Sequence, residues 1–201
     1  MSADALILAS GSPRRRELLG SLGIRFDVVK AEVEEDNEST NDPETLVYQN
    51  AGTKAGWVAE RNPGRYVLGA DTTVFLEGLI LNKPSDLDES RAMLNRLSGR
   101  THVVYTGLIF LHRDRGIEEA EVVASEVRFR ELDAGVIEAY IAAVNTLDKA
   151  GGYAIQECGE MIVAWHKGSL SNIIGLPLDE TKAILTRHRL LNNRISPLWT
   201  A

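Results

Sequence analysis

Cysteine is almost absent from this chain: Cys158 is the only one in 201 residues. No intrachain disulfide can form, and a cytosolic, intracellular setting is the simplest expectation. Long apolar runs are missing as well. No stretch approaches the ~18 residues that a membrane-spanning helix needs, and the start lacks the charged segment and extended apolar core of a signal peptide. An excess of positive charge is also lacking. Lys and Arg number 22 against 29 Asp and Glu, for a formal net charge of −7. A nucleic-acid surface needs a basic face to collect phosphates. No nucleic acid and no membrane are therefore expected as partners, and any positive site must be local and suited to a small anion. His102, His112, His166 and His188 show no metal-ligand spacing. Internal repeats, low-complexity tracts and linkers are absent too. What is present, 44% hydrophobic residues, suffices for a substantial core in one domain over residues 1–201, with room for two lobes.

The most informative stretch is Ala5 to Leu19, ALILASGSPRRRELL. Ala5 to Ala9 reads as a short buried strand. It breaks at Ser10-Gly11-Ser12, after which Ser12 caps a helix with Pro13 in its first turn. Arg14, Arg15 and Arg16 then crowd the end of a helix that normally favours acidic residues. Free backbone N–H groups, small residues and guanidinium forks make a receptor for phosphate oxygens. The alternative is that the arginines are solvated or pair with surface carboxylates, which is worth little. The turn is neither a Walker A sequence nor a GxGxxG fingerprint.

Further along, Arg25 to Lys30 reads as a strand, and Glu32 to Glu38 is a run of carboxylates. Such a run is a solvated loop or supplies one or two ligands to a divalent cation, which takes the rest from water and phosphate. Asp42-Pro43 starts a helix running to about Glu60, with Val47, Ala51, Ala55 and Val58 as its apolar stripe. Lys54 borders that stripe, one turn beyond Asn50, and could simply snorkel to solvent. Tyr66 to Ala70 is a strand with Asp71 at its carboxyl end, where ligands of open α/β sheets collect. A hairpin over residues 74–81 turns at Glu77-Gly78. Pro84 holds Lys83 extended, although an edge-strand lysine that discourages aggregation is the duller reading.

Asp88 to Leu97 is predicted as a helix closed by Gly99. His102–Leu111 and Ala120–Phe129 are predicted as an antiparallel pair, followed by a helix over Asp133–Val144. A polar turn and the Gly151-Gly152 pair lead to a short strand ending near Gln156, the pair allowing close approach of a strand or a ligand. Met161 to Trp165 is a strand, the last helix spans Asp179 to about Leu190, and the tail after Asn192 is a weakly ordered end.

Five motifs occur in the order seen in the Maf-like nucleotide pyrophosphatases. They are Ser10-Gly11-Ser12-Pro13-Arg14-Arg15 with Glu17-Leu18-Leu19, Gly69-Ala70-Asp71-Thr72, Asn82-Lys83-Pro84, Leu147-Asp148-Lys149-Ala150-Gly151 and Gly175-Leu176-Pro177-Leu178. The chain resembles that family from Leu6 to about Leu190. The resemblance implies an α/β fold of Maf/ITPase-like type, a mixed elongated sheet flanked by helices, with two lobes and a central cleft. It implies hydrolysis of a nucleoside triphosphate to the monophosphate and pyrophosphate with a divalent cation (Mg²⁺, Mn²⁺ or Co²⁺), as house-cleaning of nucleotide pools. Carried over by motif, Asp71 is the proton acceptor and Glu35 a second acidic residue near metal and water. Arg14, Arg15, Lys54 and Lys83 contact the triphosphate, beside Ser10 and Ser12 of the turn. Glu35 and Asp71 are the metal ligands, and Arg14, Thr72 and Gln156 stand at the specificity positions. The family also suggests a homodimer.

This casting agrees with the chemistry, since attack of water on the α-phosphorus needs charge on the phosphate oxygens, a metal and a carboxylate. A sibling branch acting on 7-methylguanosine triphosphate carries Gln and an acidic residue where this chain has Thr72 and Gln156. Neutral Thr and Gln suit the imide edge of uracil or thymine, so dTTP and UTP are expected, with room for modified pyrimidines. Two departures leave points open. Glu157 follows Gln156 where the family usually has Gly, so either could face the base. Glu34-Glu35 replaces Asp-Glu, so those two could exchange roles. The rival readings are a nucleotide-binding regulator of cell division without catalysis, and a nucleotidyltransferase needing an acceptor substrate.

Overall fold

A computed structural model describes residues 6–36 and 40–191. Ala5 of the first predicted strand, Asn37 and Glu38 of the acidic run, and the tail from Asn192 lie outside the described residues. Seven strands form one mixed sheet: β1 (Leu6–Leu8), β2 (Phe26–Val28), β3 (Tyr66–Leu76), β4 (Leu79–Leu81), β5 (Thr101–His112), β6 (Ile117–Phe129) and β7 (Val163–Lys167). Their order is β2-β1-β3-β5-β6-β7, with β4 folded back on β3. β1 pairs parallel with both β2 and β3, and the remaining pairs are antiparallel.

The helices are α1 (Pro13–Gly20), α2 (Pro43–Arg61), α3 (Leu87–Leu97), α4 (Ala134–Ala143), α5 (Gly159–Ile162), α6 (Leu170–Ile174) and α7 (Leu178–Arg187). Ser12, Asp42, Asp86, Asp133 and Ser169 cap α1, α2, α3, α4 and α6 by accepting a backbone N–H, satisfying donors that a helix start leaves over. The apolar stripe of α2, Ala51, Ala55 and Val58 among it, packs on Ile7, Val67 and Ile109 of the sheet. On a second cluster Leu19, Ile184 and Leu185 meet Leu6, Leu8, Leu68 and Phe110. A third gathers Val74, Leu76, Leu94, Leu97, Val127, Phe129 and Tyr140. Among the described residues no helix is long and apolar enough to cross a membrane.

Two glycines determine how closely α2 approaches the sheet. A Cβ on Gly69 would lie 2.8 Å from the carbonyl oxygen of Ala51, and one on Gly107 only 2.4 Å from that of Val47. Gly107 sits directly across the β3–β5 ladder from Asp71. The helix is therefore seated hard against the strand pair that carries the candidate catalytic carboxylate.

Several local expectations need correction. The strand predicted to end at Ala70 and the first arm of the hairpin are one continuous β3, because β5 offers an unbroken ladder from Val67 to Phe75. Asp71 is thus in mid-strand, although it lies beyond the carboxyl end of β1, whose Leu8 pairs with Leu68. The strand predicted at residues 25–30 shortens to Phe26–Val28, and the one predicted from Ala120 begins at Ile117. Tyr153 to Gln156 is no strand. It leaves a 3₁₀ turn at Ala150–Gly152 as irregular chain, and the two glycines make room for Val74 and Ser90. Met161 belongs to α5, with β7 starting only at Val163. α6 was not predicted, and α7 starts at Leu178 and stops at Arg187.

Candidate active site

The carboxyl ends of β1 and β2, the middle of β3, the start of α1 and the segment 148–156 enclose a cavity of about 860 Å³. Ser10, Ser12, Arg14, Arg15, Glu35, Lys54, Asp71, Thr72, Lys83 and Gln156 all line it. Residues drawn from six separate stretches of sequence are therefore brought to one place, while Arg16 is exposed on the outer side of α1.

Asp71 and Glu35 are joined through a lysine. Lys54 reaches from α2 to donate to Asp71 Oδ1 at 2.6 Å, and its Nζ is 2.7 Å from Glu35 Oε1. Lys83 Nζ approaches the other oxygen of Glu35 at 3.2 Å. Burial would raise the Glu35 carboxyl, but the two ammonium groups outweigh it and lower the group to about 2. Asn50, four residues before Lys54 and hence on the same helix face, clips the loop that carries Glu35. It accepts from Asp36 N–H at 2.9 Å and donates to Asp36 C=O at 2.8 Å. Its amide nitrogen also lies 3.5 Å from Asp71 Oδ2. Asp71 Oδ1 is thus held by Lys54, and Oδ2 is the oxygen left more open to a reactant.

Arg15 turns inward from the first turn of α1. It donates through Nε to the Gly175 carbonyl at 2.8 Å, through Nη1 to Ser10 Oγ at 3.2 Å and through Nη2 to Thr72 Oγ1 at 2.9 Å. Those bonds leave N–H capacity on both Nη atoms. Enclosure lowers the proton affinity of this guanidinium, while Asp71 and Glu35 act to raise it. Thr72 Oγ1 also lies 2.9 Å from Thr106 Oγ1, which donates to the Asn172 carbonyl at 3.1 Å. Arg15 and Thr72 are thereby tied to α6.

The opposite rim is an ionic chain. Arg14 pairs with Asp148 at 3.6 Å, Asp148 with Lys149 at 2.8 Å, and Lys149 with Glu157 at 3.3 Å. Lys149 is almost fully enclosed and also donates to the Asn145 carbonyl. Glu157 is turned towards Lys149, whereas Gln156 lines the cavity. Of the two acidic neighbours near the other end, both line the cavity, but Glu35 is the one that engages Lys54 and Lys83. Val74, Val104 and Ile173 supply an apolar part of the wall.

Asn50, Lys149 and the Thr106–Asn172 pair were given no role from the sequence, although Lys149 stands in the Leu147–Gly151 motif. Asn50 carried a usable signal, as a polar residue one helical turn from Lys54 beside an apolar stripe. Among the described residues no three His, Cys, Asp or Glu side chains cluster as a metal site. The carboxylates of Glu35 and Asp71 nonetheless suit a hard cation such as Mg²⁺, which takes one or two carboxylates and completes its shell with water and phosphate oxygens.

Comparison with known proteins adds an independent line. The family profile described as Maf-like protein matches residues 5–188. The dTTP/UTP pyrophosphatase of Myxococcus xanthus (strain DK1622) is 50% identical over 189 residues, covering 93% of this chain and 95% of that protein. The proteins of the same name from Akkermansia muciniphila and Syntrophus aciditrophicus are 46% and 42% identical, each over 180 residues. These alignments cover 90% of this chain and, respectively, 94% and 88% of those proteins.

Proposed function

The chain belongs to the Maf-like family, and on that premise we propose that it is a pyrophosphatase hydrolysing dTTP and UTP to the monophosphate and pyrophosphate. The observation that carries this reading is the Glu35–Lys54–Asp71 bridge, set in one cavity with the Ser10–Ser12 turn and Arg14, Arg15 and Lys83. The names of the relatives support the choice of substrate.

In the reaction, the oxygen of a water bonds to the α-phosphorus while the bond from that phosphorus to the bridging oxygen breaks. The water proton passes to Asp71, and pyrophosphate leaves. Oδ2 of Asp71 is the oxygen cast as acceptor, because Lys54 holds Oδ1. Lys54 holds Asp71 and Glu35 close together despite their like charge. Arg14, Arg15, Lys83 and the backbone N–H groups of the Ser–Gly–Ser turn receive the phosphate oxygens, where charge accumulates in the transition state. A divalent cation (Mg²⁺, Mn²⁺ or Co²⁺), held by Glu35 and Asp71, would supply further charge neutralisation when bound. Gln156 offers a donor and an acceptor to the imide edge of uracil or thymine, and Thr72 a hydroxyl.

The test is pyrophosphate release from a panel of triphosphates with Mg²⁺ or Mn²⁺. Release from dTTP and UTP above the purine nucleotides is expected, and Asp71→Asn should lose about 10²–10⁴ in turnover while still binding dTTP. Binding of dTTP without any release would instead favour a regulator.

A further inference from the structure

Lys30 belongs to none of the motifs above, yet it lines the cavity. It stands two residues past β2, as Ser10 stands two residues past β1, and the parallel register pairs Leu8 with Val28. Lys30 is therefore level with the Ser10–Ser12 turn, one strand further from Asp71. Its aliphatic stem lies over that turn: a Cβ on Gly11 would come within 3.3 Å of Lys30 Cδ. Of the other cations of the cavity, Arg15 is hydrogen-bonded to Gly175, Ser10 and Thr72, and the rest are ion-paired, Arg14 with Asp148, Lys54 with Asp71 and Glu35, Lys83 with Glu35, and Lys149 with Asp148 and Glu157. Among the described residues nothing forms a hydrogen bond or ion pair with Lys30.

Strand order gives the cavity a direction. Across β2-β1-β3-β5 come Lys30, then Ser10, then Asp71, then Val104 with the neighbouring Val74 paired to it. A nucleotide with its α-phosphorus at Asp71 and its base on the apolar side of β3 and β5 sends its β- and γ-phosphates towards the turn and Lys30. We infer that Lys30 is a further substrate-binding residue, whose ammonium group receives the leaving pyrophosphate portion of the triphosphate. This rests on the pyrophosphatase reading above. An ammonium on a flexible stem suits a multiply charged oxygen cluster, and the stem on Gly11 limits where it can reach.

The experiment compares the full-length protein with Lys30→Met and Lys30→Arg, measuring dTTP turnover and product inhibition at fixed free Mg²⁺. Methionine keeps the unbranched stem over Gly11 and removes only the charge. In Lys30→Met the pyrophosphate concentration giving half-inhibition should rise about ten-fold, the scale of one charge-assisted contact. The KM for dTTP should rise with it, and inhibition by dTMP should stay within about two-fold of the unmodified protein, because the monophosphate does not reach Lys30. Lys30→Arg should remain near the unmodified values. Unchanged inhibition by pyrophosphate in Lys30→Met overturns the inference, as does an equal weakening towards pyrophosphate and dTMP. An unmodified protein that neither hydrolyses dTTP nor is inhibited by pyrophosphate overturns the pyrophosphatase reading, and this one with it.

Discussion

Gly107→Ala isolates the seating of α2 on the sheet. The added methyl carbon would sit 2.4 Å from the Val47 carbonyl oxygen and 2.9 Å from the Tyr48 nitrogen, against ordinary contacts of 3.4 Å or more. The obstacle is helix backbone, so no side-chain rotation relieves it, and α2 must move away by about 1 Å. Overpacking of a well-filled core costs about 1–3 kcal/mol, and a backbone obstacle points to the upper end. For a chain of this size about 3 kcal/mol lowers the melting temperature by roughly 6–12 °C. The same displacement carries Asn50 and Lys54 away from Asp71, which faces Gly107 across the ladder. A misplacement of about 1 Å in a catalytic constellation can cost on the order of 10²-fold in rate. Gly52→Ala is the control on the same helix, where an added Cβ meets nothing within 4 Å. There the alanine should stabilise the helix by about 0.5–1 kcal/mol and leave turnover intact. Thermal melts followed by circular dichroism, alongside dTTP hydrolysis, read both effects. A Gly107→Ala protein with unchanged melting and turnover, or one matching Gly52→Ala in sign, would refute the reasoning.

Lys54→Met should reduce turnover on the order of 10²-fold or more by removing the central cation. It should also change the acid limb of stability. Glu35, lowered to about 2 from 4.5, contributes stability that is fully present above about pH 4.5 and lost as the pH falls towards 2. Without Lys54 much of that lowering is removed, so urea midpoints should fall less between about pH 4.5 and pH 3 than in the unmodified protein. Asn50→Leu removes the two hydrogen bonds that the Asn50 amide makes with the Asp36 backbone. It should cost about 1–3 kcal/mol and lower kcat through the misplaced Glu35 loop, as paired denaturation and kinetic measurements would show. Glu157→Gln should keep the preference for dTTP over dCTP, whereas Gln156→Ala should weaken it, because Gln156 and not Glu157 lines the cavity.

The Ser10–Ser12 turn, Asp71, Lys54 and Lys83, which line one cavity, stood out in the sequence because charged residues interrupting or bordering apolar stretches are conspicuous locally. The start of α2 was equally plain from Asp42-Pro43. Other features depended on partners remote in sequence. β3 runs on past Ala70 because β5 pairs with it there, and no pattern within residues 66–76 announces that ladder. Tyr153 packs its ring on His102 and Phe129 while Ala154 and Ile155 border the cavity, so a pattern resembling a strand had another cause. α6 is short and is held by Asn172, which donates to the Val104 carbonyl and to Ser125 Oγ, a tertiary arrangement without local periodicity. Glu157 and Gln156 differ through a tertiary contact, Lys149 pairing with Asp148 and Glu157 while Gln156 lines the cavity.

The uninterrupted course of β3 has a consequence for how such a cleft can diversify. Its first residues pair with β1, on the side of the Ser10–Ser12 turn, its last with β4, beside the apolar wall, and β5 follows it from Val67 to Phe75. One stiff rod thus spans both halves of the cleft. On the proposed reading, replacing the 153–156 segment would alter which base is admitted while leaving the Ser10–Ser12 turn, Lys54 and Asp71 in place, so new nucleotide preferences could arise on an unchanged scaffold.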